Sequence, residues 1–122
     1  MKISSYMDCR KALRTANPEI NGNALRPSKL APNVQVVELL HDVHNDGLSQ
    51  PCAIRVYGAD LLTYYSDGCF RVTNGGWPTP TTIRILNTYA PLDWEFRHRG
   101  GKLEGRKIDN QWCELFQNAV YQ

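Results

Sequence analysis

A chain of 122 residues has room for one modest hydrophobic core and not for two, so it reads as a single folded unit. Its 14 basic and 12 acidic side chains leave a formal charge of +2, too little to argue for nucleic acid from overall charge, so any such case must rest on local clustering. No run approaches the roughly 18–20 apolar residues of a membrane helix, and MKISSYMDCRKALRT lacks the apolar stretch of a signal peptide, which places the expected location in the cytoplasm where the chain is made.

Residues 1–33 differ in texture from the rest. A short helix is expected from about Tyr6 to Thr15, ending before Asn17-Pro18 because the residue ahead of a proline avoids the α conformation. The remainder to Asn33 is rich in proline and asparagine and reads as an irregular arm. Residues 34–122 then form the α+β domain proper. VQVVELLH, CAIRVYG, LLTYYS and CFRVTN are short β-rich runs separated by turn chemistry at His44–Gly47, Gly58-Ala59-Asp60 and Asp67-Gly68, the last a two-residue type I′ signal. They predict a twisted antiparallel β-meander of about four strands.

NGGWPTPTTIRILN follows, with Thr79 as N-cap and Pro80 at the first helical position. Ile83, Leu86 and Ala90, widened by Ile85 and Tyr89, make the apolar stripe of a helix packed on one face of the sheet, and Pro91 closes it. LDWEFRH and KLEGRKI read as a hairpin around Gly100-Gly101. IDNQWCELFQNAV reads as a C-terminal helix with Trp112, Leu115, Phe116 and Ala119 on one side. Cys9, Cys52, Cys69 and Cys113 are dispersed without a C-x-x-C pair, which argues against metal or redox centres, and Cys52 and Cys69, at predicted strand starts, read as small buried hydrophobes.

Three constellations carry chemistry. At the corner before the helix, Gly75 and Gly76 would let backbone approach an anion, Thr79, Thr81 and Thr82 add hydroxyls, and Arg84 adds charge. The spacing is not that of a P-loop, and the competing account is structural: the glycines turn the chain, Trp77 plugs the core, and the threonines cap the helix. RHRGGKLEGRK gathers Arg97, Arg99, Lys102, Arg106 and Lys107 around one hairpin, with Arg97 and Arg99 on the face opposite Trp94, Phe96 and His98. Arg55 and Arg71 lie on polar strand positions near Tyr57 and Tyr64 or Tyr65, so cations alternate with rings as a single-stranded nucleic acid or a protein partner would require. In HDVHND, His41, Asp42, His44 and Asp46 carry metal-ligand atoms, but a polar hairpin tip accounts for them better. No catalytic signature, cofactor fingerprint or metal motif is present, so no catalytic residue, metal or cofactor is expected.

The succession AIRVYGADLLTYYSDGCFRVTNGGWPTPTTIRILNTYAP resembles a pattern in small proteins of tailed bacteriophages. The resemblance rests on Gly58, Asp60, Thr63, Tyr64, Asp67, Gly68, Gly75, Gly76, Trp77, Thr79, Thr81, Thr82, Arg84 and Asn87, and spans about residues 34–105. That group supplies no established activity. The resemblance implies provenance: a phage accessory protein in the cytoplasm of an infected bacterium. The leading expectation is therefore a non-enzymatic protein that binds a host protein complex, one that handles nucleic acid or serves defence, as an anti-CRISPR protein does. Direct binding of single-stranded nucleic acid is the second reading, and a small enzyme or phosphate-ligand binder at Gly75–Arg84 the third. No membrane partner is expected, and an exposed edge strand leaves a homodimer open.

Overall fold

The computed structural model describes residues 3–18, 25–39, 50–117 and 119–122. Among these it holds two helices and nine strands in two antiparallel sheets, an arrangement of the α+β class. Helix α1 (Tyr6–Ala16) is nucleated at Ser5, whose side chain accepts the Asp8 amide, and Asp8 places negative charge in the first turn. Cys9, Ala12 and Leu13 recur at helical spacing and form its buried stripe.

The helix ends at Asn17, whose side chain donates to the Leu13 and Arg26 carbonyls and accepts the Arg26 amide. The chain then enters strand β1 (Ser28–Ala31), where an irregular arm was expected. Pro27 and Pro32 bracket these four residues and disguise them. Pro32 in fact begins the tight turn into β2 (Val34–Glu38), and Asn33 completes it in the left-handed region at φ 63°.

Strands β3 (Cys52–Val56), β4 (Ala59–Tyr64) and β5 (Phe70–Val72) continue the large sheet, and β9 (Val120–Tyr121) closes it in the order β1-β2-β3-β4-β5-β9. The sheet thus has six strands where about four were expected. Two turns also differ from expectation. The β3–β4 loop is Tyr57-Gly58, both left-handed, so Ala59 and Asp60 belong to β4. The β4–β5 loop is Ser66-Asp67-Gly68, closed by the Tyr65 amide on the Cys69 carbonyl, with Gly68 alone of the three at positive φ.

Register sets the faces. Val36, Ile54, Leu62 and Val72 sit side by side across four strands and are essentially inaccessible, as are Cys52 and Phe70 on the same face. Helix α2 (Pro80–Thr88) buries Leu86 and Thr82, and Leu86 joins the same core cluster. The hairpin β6 (Trp94–Arg99) and β7 (Lys102–Lys107) forms as expected, and with β8 (Cys113–Glu114) makes a second, three-stranded sheet. Phe70 and Trp94 meet edge to face at 5.0 Å, and Phe96 and Tyr121 extend this aromatic cluster between the sheets.

The expected C-terminal helix is absent among the described residues. Asp109 turns left-handed at φ 76°, Cys113 and Glu114 pair with β7, and Val120 and Tyr121 pair with β5. The supposed helical stripe divides, Leu115 being 8% exposed and Phe116 62%. Leu115 instead fills the space over Gly105, where any Cβ would lie 2.7 Å from its Cδ1.

Two polar contacts fasten α2. Tyr64 Oη donates to the Tyr89 carbonyl at 2.6 Å. Asn87 donates to the Phe96 carbonyl and accepts the Phe96 amide, at 2.9 and 2.8 Å. Because Phe96 is buried, Asn87→Ala is expected to lower unfolding free energy by about 1–2 kcal/mol, and Tyr64→Phe by about 1 kcal/mol, both measured by urea denaturation. Unchanged midpoints would show that these bonds add nothing over their water-bound alternatives.

Candidate recognition surface

The corner at residues 74–84 is stitched to itself. The amides of Gly75 and Gly76 donate to the side chains of Thr73 and Asn74, and those of Trp77 and Thr79 donate to the Asn74 and Trp77 carbonyls. Thr79 Oγ1 accepts the Thr82 amide and its carbonyl accepts the Ile83 amide, while Pro78 and Pro80 have no N–H to offer. Both glycines are left-handed, and a Cβ on Gly75 would press on Leu61 and Trp77. Thr82 is buried and bonded to Thr79, so of Thr81, Thr82 and Arg84 only Thr81 and Arg84 face solvent. The amides of Gly75, Gly76, Trp77, Thr79, Thr82 and Ile83 are thus committed inside the turn. Trp77, expected to plug the core, stands 39% exposed.

The basic hairpin is also largely self-satisfied. Cross-strand register sets Arg97 opposite Glu104 and Glu95 opposite Arg106, and both pairs are closed by their Nε atoms, the first at 2.8 Å. Lys102 reaches Glu114 on β8 at 3.2 Å. The guanidinium groups of Arg97 and Arg106 lie 4.2 and 4.5 Å from the centroid of Trp112, so both their edges and their faces are engaged. Among the described residues Arg99 and Lys107 make no ion pair. His98 lies beside Asn74, 3.4 Å from its amide nitrogen, and burial holds its imidazole below the ordinary value.

On the large sheet the expected arginine–tyrosine stripe divides between faces. Tyr64 is opposite Cys52, on the core side, and is 3% exposed; it is a structural residue, not a surface one. Arg55 and Arg71 lie on the other face. Arg55 is held by Asp60 through Nε at 2.7 Å and Nη2 at 3.2 Å, and that bond raises its affinity for the proton. Arg71 lies 5.9 Å from the centre of the Tyr65 ring.

What the fold does assemble was not foreseen as a unit. Lys29, Gln35, Arg55 and Asp60 fall into one row across four strands. Alongside that row, at the strand ends, the turns holding Asn33 and Tyr57 meet. The Tyr57 amide donates to the Asn33 carbonyl at 3.3 Å, and the Asn33 side chain donates to Tyr57 Oη at 3.1 Å. A groove of about 300 Å³ opens between them, lined by Lys29, Asn33, Gln35, Arg55 and Tyr57. Tyr57 is 73% exposed, and Trp77 stands edge-on to it with ring centres 6.4 Å apart. The exposed Tyr-Gly pair was the available signal for Tyr57; Lys29 gave none, because its strand was hidden in the arm.

Residues 41–46, with the HDVHND cluster, lie outside the described residues. Among the described residues no group of three or more His, Cys, Asp or Glu is placed to hold a metal ion. Burial pushes the thiols of Cys9 and Cys52 up, so neither is a ready thiolate. No helix among the described residues is long and apolar enough to cross a membrane. No protein-family profile, curated protein or solved structure matches the chain.

Two measurements follow from this geometry. Tyrosine is a poor choice for a left-handed turn position that asparagine adopts readily, so Tyr57→Asn is expected to raise stability by about 0.5 kcal/mol net of the lost contact with Trp77. A clear destabilisation by urea denaturation would refute that. The neutral form of His98 is favoured in the folded state, so the unfolded chain takes up its proton first as pH falls. The stability it contributes is present above the ordinary imidazole value of about 6.5 and is lost below it. Thermal midpoints of wild type and His98→Gln between about pH 7 and 5 should therefore differ in slope, wild type falling more steeply; equal slopes would remove His98 from the pH response.

Proposed function

We propose that this chain is a phage accessory protein that acts in the cytoplasm of an infected bacterium by binding a host protein complex, as an inhibitor of host defence of the anti-CRISPR kind does. In this reading residues 34–72 form an antiparallel meander whose hairpin ends carry the contact surface, centred on Tyr57 and Trp77. The observation that carries it is Tyr57, a large aromatic kept 73% exposed in a left-handed turn and outside the apolar core. A bulky residue held at a left-handed position on the surface is a mark of function. Exposed Tyr and Trp beside an arginine are the residue types that anchor protein interfaces.

Direct nucleic acid binding draws less support, because Arg97, Lys102 and Arg106 already hold carboxylates. The test is affinity purification of tagged chain from infected cells, with nuclease added, comparing wild type with Tyr57→Asn and with Arg97→Ala/Arg99→Ala. The expected result is a host complex recovered by wild type and by the arginine variant, and reduced about tenfold or more with Tyr57→Asn. Equal recovery with all three proteins would remove Tyr57 from the interface. Recovery that depends on nucleic acid and on the arginines would favour the alternative.

A further inference from the structure

We infer that the groove under Tyr57 is a carboxylate-accepting site, and that the partner enters it with an Asp or Glu side chain on an extended segment whose neighbouring apolar residue rests on Tyr57 and Trp77. The inference rests on the preceding reading of Tyr57 and Trp77 as the contact surface, and it adds the chemistry of what they contact.

Charge decides the ligand. Lys29 is exposed on an edge strand and, among the described residues, has no ion pair. Arg55, in the same cross-strand row, gives Nε and Nη2 to Asp60 and leaves Nη1 for another acceptor. Gln35 stands between them in register. Neighbouring strands are about 5 Å apart, so the two cations flank a space about 10 Å across at the backbone, which their long side chains can narrow onto one carboxylate. The volume of about 300 Å³ lies at the small end of ligand sites and suits a side chain.

A nucleic acid strand fits this groove less well than an acidic peptide does. Phosphates repeat along a strand and require a track of cations, whereas here Asp60 ends the row with a negative charge. A single carboxylate needs only Lys29 and the open edge of Arg55. The remaining recognition then falls to the aromatic rim, where Tyr57 Oη accepts from Asn33 and still has its own proton to donate.

The experiment is selection of random 12-residue displayed peptides on the full-length protein, repeated on Lys29→Glu and Tyr57→Asn, together with a (dT)20 oligonucleotide binding assay. The expected result is a wild-type peptide set sharing one Asp or Glu beside an apolar residue, with affinity lowered about tenfold by Lys29→Ala. Lys29→Glu should replace that acidic position by a basic one. Peptides that require Tyr57 but carry no acidic position would overturn the carboxylate inference and leave the contact surface standing. Peptides that carry the acid but bind independently of Tyr57 and Lys29 would overturn both. A selection that returns no peptides overturns the inference, as does (dT)20 binding that depends on Lys29 in the absence of peptide binding.

Discussion

Both helices among the described residues are fixed in place by an asparagine that seizes the two backbone groups of one residue nine positions further on. Asn17 holds Arg26, and Asn87 holds Phe96. The carboxamide suits this task because it presents one acceptor and a donor in the same plane, as a neighbouring strand would. Each clasp fixes where the chain goes after its helix. The first delivers residues 25–27 to the edge of the large sheet, so that β1 can pair with β2. The second locks α2 against β6, and with it the aromatic cluster through which the second sheet adheres to the first.

The candidate recognition surface is a consequence of that frame. Because β1 is placed on the edge, Lys29 joins the row formed by Gln35 and Arg55, and Asn33 is brought against Tyr57. Because α2 is fixed at its far end by Asn87 and Tyr64, its capped beginning at Thr79 holds the preceding turn, and Trp77 is presented beside Tyr57 rather than folded into the core. Residues from four separate segments meet there, and none of them is needed by the apolar core. Their proximity is bought by backbone conformations that a chain selected only for stability would avoid, above all the left-handed tyrosine.

Much of the fold was legible where burial imposes a period. The runs that became β2 to β5, the hairpin around Gly100-Gly101 and the capped start of α2 all follow from alternation, glycine turns and the Thr79-Pro80 signal. Short strands escaped for the converse reason. Two residues, as in β8 and β9, have no period, and Trp112, Leu115, Phe116 and Ala119 happen to recur at helical spacing. The site was less legible than the fold. Arg55 and Tyr57 could be singled out as types, but their grouping with Lys29 depends on the register of three strands, and Tyr64 could be assigned to the core only once Cys52 was known to lie opposite.

Charge illustrates the same limit and bears on function. Counted along the sequence, five cations within 11 residues look like a phosphate-binding patch. Folded, the hairpin brings Glu95 and Glu104 across from Arg106 and Arg97, and β8 adds Glu114 for Lys102. Such surface pairs, half-buried at most, contribute little to stability, since desolvation and side-chain ordering offset most of the attraction. They nonetheless change what the surface can bind: a phosphate must displace a carboxylate already in place, and a nucleobase must displace two guanidinium groups from Trp112. A cation with no such competitor, like Lys29, attracts an anion at lower cost. For predicting what this protein recognises, the pairing of its charges therefore outweighs their number.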